Sequence, residues 1–200
     1  MSYRYSRNLG TRAIWILILA NFAVFIATLI APQAIDLLAV GRASLASRPW
    51  TIFTSLFVHA GWFHIFGNMY MLWFYGDSLE QVIGEWKLLV LYFVGGLVGN
   101  AAFLLIAPQW ASAVGASGAV FTIGGALAVV RPKIKVVIFP LPIPMDLWIS
   151  VILIAVILGV LPALAEYTRI GWQAHLGGLI TGLAYGWYFR HWERCRGIYR

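Results

Sequence analysis

The chain has 200 residues, of which 62% are hydrophobic and 10% are charged, against about 45–50% and about 25% in an ordinary soluble domain. This composition excludes a soluble globular protein and indicates one helical membrane domain, because a transmembrane barrel would show short alternating segments. The net charge of +7 does not indicate nucleic acid, since the basic residues stand at the ends of apolar runs and not in a stripe. The single cysteine, Cys195, excludes an internal disulfide. The lipid bilayer is therefore the expected partner, and no nucleic acid is expected.

The N-terminal half is predicted to contain three membrane spans. A short segment, 1–12, precedes a nearly uniform apolar run at 13–30, which is the first span. The mixed segment 31–60 is predicted to lie in the membrane interface or to dip partly into the membrane. The second span is 61–75 and the third is 86–107. Between them the sequence indicates a polar turn with four charged residues, Asp77, Glu80, Glu85 and Lys87.

The C-terminal half is predicted to contain three more spans. The fourth, 117–130, has about 14 residues and is too short to cross a hydrocarbon layer of about 30 Å at about 1.5 Å per residue. It must be surrounded by other helices, which places Ser117 below the membrane surface. An extended surface hairpin is predicted at 131–144, followed by a lipid-facing fifth span at 147–161 and a sixth at 172–189. The predicted fold is an all-α, polytopic membrane bundle of six transmembrane helices.

The distribution of basic residues predicts the orientation of these spans. Of the 14 lysines and arginines, all but Arg42, Arg48 and Arg169 fall on the side that holds both termini when there are six spans. That side is expected to be the cytoplasm. The protein is therefore predicted to be a multi-pass protein of the cell membrane, with a membrane domain at 13–190 and a basic cytoplasmic tail at 191–200.

This orientation places the polar residues of three spans in one layer. The second, fourth and sixth spans all run from outside to inside, and each carries its polar side chains near its outer end. The layer contains His59, His64, Asn68, Ser117 and His175. Because an imidazole or an amide is costly in lipid, these side chains are expected to face the interior of the bundle.

Ser117 and His175 are the candidate catalytic pair. Gly178 and Gly182 lie one and two turns after His175, and a helix face without side chains allows the small-residue fourth span to approach closely. A serine hydroxyl is a poor nucleophile until a base takes its proton, and a neutral imidazole within about 2.6–3.2 Å does so. No aspartate lies in the outer halves of these spans to orient the ring, which is expected to stack on Phe121 instead.

An oxyanion hole is the second requirement of such chemistry. His64 and Asn68 are four residues apart and share one helical face. The backbone N–H groups of Ser117 and Gly118 stand at a helix N-terminus, where they point toward a developing negative charge. These four residues are the candidate donors, and His59 lies at the entrance of the second span.

Taken in order, these motifs resemble the rhomboid intramembrane serine proteases of the six-span prokaryotic type. The resemblance covers nearly all of the chain and is carried by Pro49-Trp50, His59, His64, Asn68, Gly115-Ala116-Ser117-Gly118, and Ala174-His175 with Gly178 and Gly182. Two positions depart from the family pattern. Thr51 follows Trp50 where many members have arginine, with Arg48 as the candidate substitute. Phe121 stands where tyrosine is frequent.

The resemblance implies that Ser117 is the nucleophile and His175 the general base. It assigns the oxyanion hole to His64, Asn68 and the Ser117 backbone, and it gives His59 a part in shaping the site and its water access. The implied reaction is cleavage of single-span membrane proteins near the outer face, through an acyl-enzyme, without metal or cofactor. The implied substrates have small residues at the cut and helix-destabilising residues beyond it.

Three other functions fit parts of the pattern. His59, His64 and His175 are residue types that bind zinc, but the outer layer offers no carboxylates to orient them. A small transporter would use the same polar layer for a solute, although the halves show no convincing internal repeat. A rhomboid-like protein that only binds membrane segments is the third alternative, and such proteins typically lack the serine or the histidine. For substrate entry, the fifth span and the loop 165–171 are the expected moving parts.

Overall fold

The computed structural model of the protein describes residues 12–138, 141–165 and 170–195, and this part of the chain is mostly helical. Its α-helices are α1 (Arg12–Ile30), α2 (Ala34–Leu38), α3 (Thr51–Thr54), α4 (Trp62–Ile83), α5 (Glu85–Ile106), α6 (Ser117–Val130), α7 (Leu147–Ala155), α8 (Leu161–Leu164) and α9 (Trp172–Cys195). A 3₁₀ turn, Ser55–Phe57, follows α3, and a π-helical turn, Val156–Val160, joins α7 to α8 in one continuous rod. Two short antiparallel pairs are formed by β1 (Val40–Gly41) with β2 (Ser112–Ala113), and by β3 (Lys135–Ile138) with β4 (Leu141–Asp146).

Three helices in the described ranges are long and apolar enough to cross a membrane, namely Ala13–Ile30, Glu85–Ile106 and Leu147–Leu164. α6 is apolar but shorter, with the bounds that the sequence predicts. α4 and α9 have 22 and 24 residues and include charged side chains such as Glu80 and Arg190. The prediction of a helical membrane protein is confirmed, and the count of six spans stays a prediction.

α4 is longer than the predicted second span. It continues through Asp77 and Glu80 to Ile83, because its apolar face stays buried as far as Leu79 and Ile83. The chain turns only at Gly84, whose φ of 85° lies in the left-handed region that glycine adopts readily. The polar turn predicted to start at Asp77 is therefore wrong, and Glu80 is a buried residue of the helix.

The C-terminal helix also exceeds its predicted length. α9 ends at Cys195 and not at 189, so the first part of the predicted tail at 191–200 is helical. The rest of that tail, the N-terminal segment up to residue 11 and most of the loop 165–171 lie outside the described residues.

α6 is the central helix of the bundle. Every residue from Gly118 to Ala128 is buried, and α6 packs against α4, α5, α7 and α9. A helix that is apolar on all sides is expected in such a surrounded position. Its N-terminal residue, Ser117, is partly buried and therefore begins inside the bundle, as its short length predicts.

Glycines allow α6 and α9 to touch backbone to backbone. A Cβ atom at Gly178 would lie 2.0 Å from Gly118 O, and one at Gly182 would lie 2.0 Å from Thr122 O. Thr122 Oγ1 fits into the same contact, 2.8 Å from Gly178 O and 2.9 Å from Gly118 O. Only hydrogen atoms in place of side chains permit this approach, which fixes the relative position of the two helices.

The segment between α1 and α4 is held by backbone and side-chain hydrogen bonds. Thr51 Oγ1 donates to Arg48 O at 2.7 Å, and Trp50 Nε1 donates to Leu37 O at 3.0 Å. The Arg48 guanidinium bonds the backbone carbonyl of Asp36. Thr51 and Arg48 thus both tie this loop together. At the opposite end of the bundle, Lys135 Nζ forms an ion pair at 2.7 Å with an oxygen of Asp146 across the β3–β4 hairpin.

Candidate active site

The nucleophile and base candidates meet at the ends of two helices. Ser117 is the first residue of α6, and His175 lies in the first turn of α9. Ser117 Oγ and His175 Nε2 are 2.8 Å apart. This distance is within hydrogen-bond reach, so the imidazole is placed to take the hydroxyl proton. The pair is brought together by the Gly118–Gly178 contact, which lies within one turn of both residues.

Two further contacts hold the imidazole of His175. The Phe121 ring stacks on it, with ring centroids 4.8 Å apart and an interplanar angle of 24°, as the sequence predicts. His175 Nδ1 lies 2.7 Å from Leu158 O, in the π-helical turn after α7. Sequence reasoning missed Leu158 because a backbone carbonyl has no residue-type signature. The available signal was Pro162, four residues after Leu158 in an otherwise aliphatic run.

His64 and Asn68 line the same cavity as the pair, from the first half of α4. Asn68 Nδ2 donates to His64 O at 2.9 Å. The same NH₂ group has a second N–H, which can donate a hydrogen bond to a group in the cavity. His64 Nδ1 lies 3.4 Å from the Ala60 backbone N–H and accepts from it. With Nδ1 as acceptor, the neutral His64 ring carries its proton on Nε2 and can donate into the cavity.

Gly115 has a physical reason to be glycine in the motif Gly115-Ala116-Ser117-Gly118. Its φ is 127°, in a backbone region that residues other than glycine rarely adopt. A Cβ atom at this position would also lie 2.8 Å from His64 Nε2. Its N–H donates to Ser55 O at 2.8 Å. Because Gly115 has no side chain, the His64 ring can lie directly beside the turn that precedes Ser117.

His59 lies outside the lining of this cavity but contacts it through His64. The ring is 1% exposed and packs edge-on against the His64 ring, with centroids 4.9 Å apart. Burial, with the neighbouring His64, lowers the pKa of His59 to about 3, so the ring is neutral. His59 Nδ1 faces Phe57 O at 3.3 Å. Its position supports the His64 ring.

The cavity has a volume of about 1170 Å³ and lies among α4, α6, α7 and α9. Its polar end holds His64, Asn68, Ser117 and His175, and its remaining lining is mostly apolar. This volume is slightly above the range of about 300–1,000 Å³ that is typical of sites for small ligands. Within the described ranges, no three histidine, cysteine, aspartate or glutamate side chains are grouped so that they would hold a metal ion.

The fold and the site together define a helical membrane protein with a serine–histidine pair inside a large, mostly apolar cavity. Residues 46–192 match the family model described as the rhomboid domain. Because this match covers more than half of the chain, the protein belongs to the rhomboid family.

Several curated proteins are similar to this chain. Rhomboid protein 1, mitochondrial, of Saccharomyces cerevisiae is 31% identical over 144 residues, which are 69% of this chain and 41% of that protein. RHOMBOID-like protein 1 of Arabidopsis thaliana is 31% identical over 167 residues, 80% of this chain and 41% of that protein. Rhomboid protease GluP of Bacillus subtilis is 30% identical over 134 residues, which are 66% of this chain and 24% of that protein. The chain thus spans less than half the length of each of these relatives.

Proposed function

We propose that this protein is an intramembrane serine endopeptidase that cleaves single-span membrane proteins with a Ser117–His175 dyad. The observation that carries this proposal is the 2.8 Å approach of Ser117 Oγ to His175 Nε2 at the polar end of the cavity. Support comes from membership of the rhomboid family and from a relative that is named a protease.

The reaction follows from the order of contacts around Ser117. His175 Nε2 takes the hydroxyl proton while Ser117 Oγ attacks the scissile carbonyl carbon. The oxyanion that forms is stabilised by the backbone N–H groups of Ser117 and Gly118, with His64 and Asn68 as side-chain donors. His175 then gives its proton to the leaving amine, which leaves an acyl-enzyme on Ser117. A water molecule activated by His175 hydrolyses that ester and restores the dyad.

We place this reaction in a cell membrane, near the outer face. In this arrangement the membrane domain, 13–190, has six spans, which include the shorter α6 and the polar-ended α4 and α9, and both termini are cytoplasmic. The positive-inside rule supports the orientation. The described inner ends carry Lys87, Arg131 and Lys133, all exposed, where cytoplasmic anionic lipids would attract them.

Substrate would enter between α4 and α7, where the cavity has apolar walls. The lining there includes Tyr70 and Met71 from α4 and Val151 and Ile154 from α7. α7 packs mainly on α6 and on the β3–β4 hairpin, so few contacts oppose its displacement. An unwound, apolar segment of a single-span protein fits such an entrance, because its freed backbone groups need the polar end of the cavity.

Cleavage of a single-span reporter by the purified protein in lipid vesicles tests this function. The wild type should release a product that Ser117→Ala does not form. Ser47→Ala is the matched control, since Ser47 is exposed and its hydroxyl donates to Ser44 O, and it should cleave at the wild-type rate. Cleavage that survives Ser117→Ala, or none by the wild type with reporters that have small residues near the outer membrane face, would contradict the proposal.

A further inference from the structure

The tautomer of His175 is set by a backbone group of the neighbouring rod. Nδ1 lies 2.7 Å from Leu158 O, and a carbonyl oxygen can only accept a hydrogen bond. Nδ1 therefore carries the proton of the neutral ring. Nε2 is then unprotonated, and it is the nitrogen that lies 2.8 Å from Ser117 Oγ. This is the tautomer in which an imidazole can act as a base toward the serine.

Leu158 O lacks its α-helical donor because of the residue four positions later. In an α-helix the carbonyl of residue 158 accepts from the N–H of residue 162, but Pro162 has no N–H. The helix widens here into the π-helical turn Val156–Val160, in which the Leu161 N–H reaches back to Val156 O. Leu158 O thus has no α-helical donor, and His175 Nδ1 lies at hydrogen-bond distance from it.

We propose that the Leu158 carbonyl, freed by Pro162, is the positioning group of the dyad and does for His175 what a carboxylate does in a triad. This inference rests on the proposed function. The carbonyl dipole fixes the ring orientation and stabilises the imidazolium that forms when Nε2 takes the serine proton. Pro162 is buried, and it acts on the ring only through Leu158.

The position of this carbonyl connects substrate entry with catalysis. Leu158 belongs to the rod Leu147–Leu164, which also borders the entrance of the cavity. Much of the rod surface is exposed, for example Ile152 at 54% and Ile157 at 48%, so the rod is the least enclosed wall of the site. A displacement of the rod that admits substrate separates Leu158 O from Nδ1.

Two variants at position 162 isolate the missing N–H. Pro162→Ala introduces an N–H that competes for Leu158 O, whereas lactic acid incorporated at position 162 has the same methyl group with an ester oxygen in place of the N–H. In vesicles with a single-span reporter, Pro162→Ala should lower kcat about 3- to 10-fold, which corresponds to the loss of one hydrogen bond. KM should not change, because the bond strengthens only as charge forms on the ring. The lactyl variant should keep the wild-type kcat.

A second measurement reads the tautomer without any substrate. Nitrogen NMR of isotopically labelled histidine should show His175 protonated at Nδ1 in the wild type and in the lactyl variant, and a mixed population in Pro162→Ala. A wild-type ring protonated at Nε2 would overturn the inference, even where Pro162→Ala fails to fold. Equal kcat in the alanyl and lactyl variants would also overturn it. A wild type that cleaves nothing but shows the Nδ1 tautomer would instead remove the proposed function and leave the positioning contact in place.

Discussion

The two walls of the cavity are built in opposite ways. On the α6–α9 wall, which carries Ser117 and His175, helices touch through backbone atoms, and a Cβ atom at Gly186 would lie 2.7 Å from Ala126 O. On the wall formed by the rod Leu147–Leu164, a Cβ atom at Gly159 would meet nothing within 4 Å. The wall that must hold a 2.8 Å contact is close-packed, and the wall where a substrate would enter is loosely packed.

The difference shows why this chain has glycines on one wall and aliphatic residues on the other. Close backbone approach leaves no alternative arrangement for α6 and α9, so the geometry of the Ser117–His175 pair is determined by the fold. The rod that contains α7 makes its contacts through aliphatic side chains such as Leu147 and Val151, both buried. Those side chains can repack while the rod moves. The contact between α6 and α9 thus keeps the Ser117–His175 pair rigid, whereas the rod that contains α7 would move to give access to the cavity.

The largest expected effect comes from adding one methyl group to the close-packed wall. Gly178→Ala places a Cβ atom 2.0 Å from Gly118 O, so α6 and α9 must separate. We expect a loss of about 1–3 kcal/mol of unfolding free energy from overpacking. We also expect at least a 100-fold loss of reporter cleavage, since a misplacement of about 1 Å at a catalytic pair costs that much. Thermal unfolding in detergent and the cleavage rate measure both effects.

Gly159→Ala is the matched control on the loose wall. The added methyl group meets open space, and alanine in a helix is favoured over glycine by about 0.5–1 kcal/mol. Stability should therefore rise slightly and cleavage should stay within a factor of about two, a change smaller than one hydrogen bond contributes. Equal damage from both substitutions would show that the two walls are packed alike.

A comparable loss of activity with a smaller loss of stability is expected from the donor side of the cavity. Asn68→Ala removes a candidate oxyanion donor and should lower kcat by about 10²–10³. Stability should change little, because the hydrogen bond that this substitution removes, from Asn68 Nδ2 to His64 O, joins two residues of the same helix. Asn21→Ala is the control, because Asn21 is fully buried and its Nδ2 also donates to the Tyr92 hydroxyl on α5 at 3.5 Å, a contact between two helices. It should lower the unfolding temperature and leave kcat per folded molecule unchanged. An Asn68→Ala variant with wild-type kcat would remove Asn68 from the proposed oxyanion hole.

The smallest effect is expected from the stacking contact within the close-packed wall. Phe121→Leu keeps an apolar side chain but loses the ring that lies 4.8 Å from the His175 ring. Such ring pairs contribute about 0.5–1.5 kcal/mol, so kcat should fall about 2- to 10-fold. The Leu158 contact would still hold the imidazole. A loss above 100-fold in steady-state cleavage would show that stacking and not the Leu158 carbonyl orients the ring.

The sequence predicts those parts of the site that depend on residue type. The bounds of α6 follow from its run of small and apolar residues, and the stacking of Phe121 on His175 follows from their helical positions. The bound of α4 was missed because Asp77 and Glu80 are typical of a turn, whereas burial of Leu79 and Ile83 keeps the helix intact. The Leu158 contact was missed because the availability of a backbone carbonyl depends on the local helix geometry and not on the type of the side chain.

The central claim, that Ser117 is an activated nucleophile, is tested most directly by labelling with a fluorophosphonate probe. The wild-type protein in lipid vesicles should acquire one adduct, located on Ser117 by mass spectrometry of the digested protein. His175→Ala should slow the labelling strongly, and Ser117→Ala should abolish it. An adduct on another serine, or labelling of Ser117 at the same rate with and without His175, would contradict the claim.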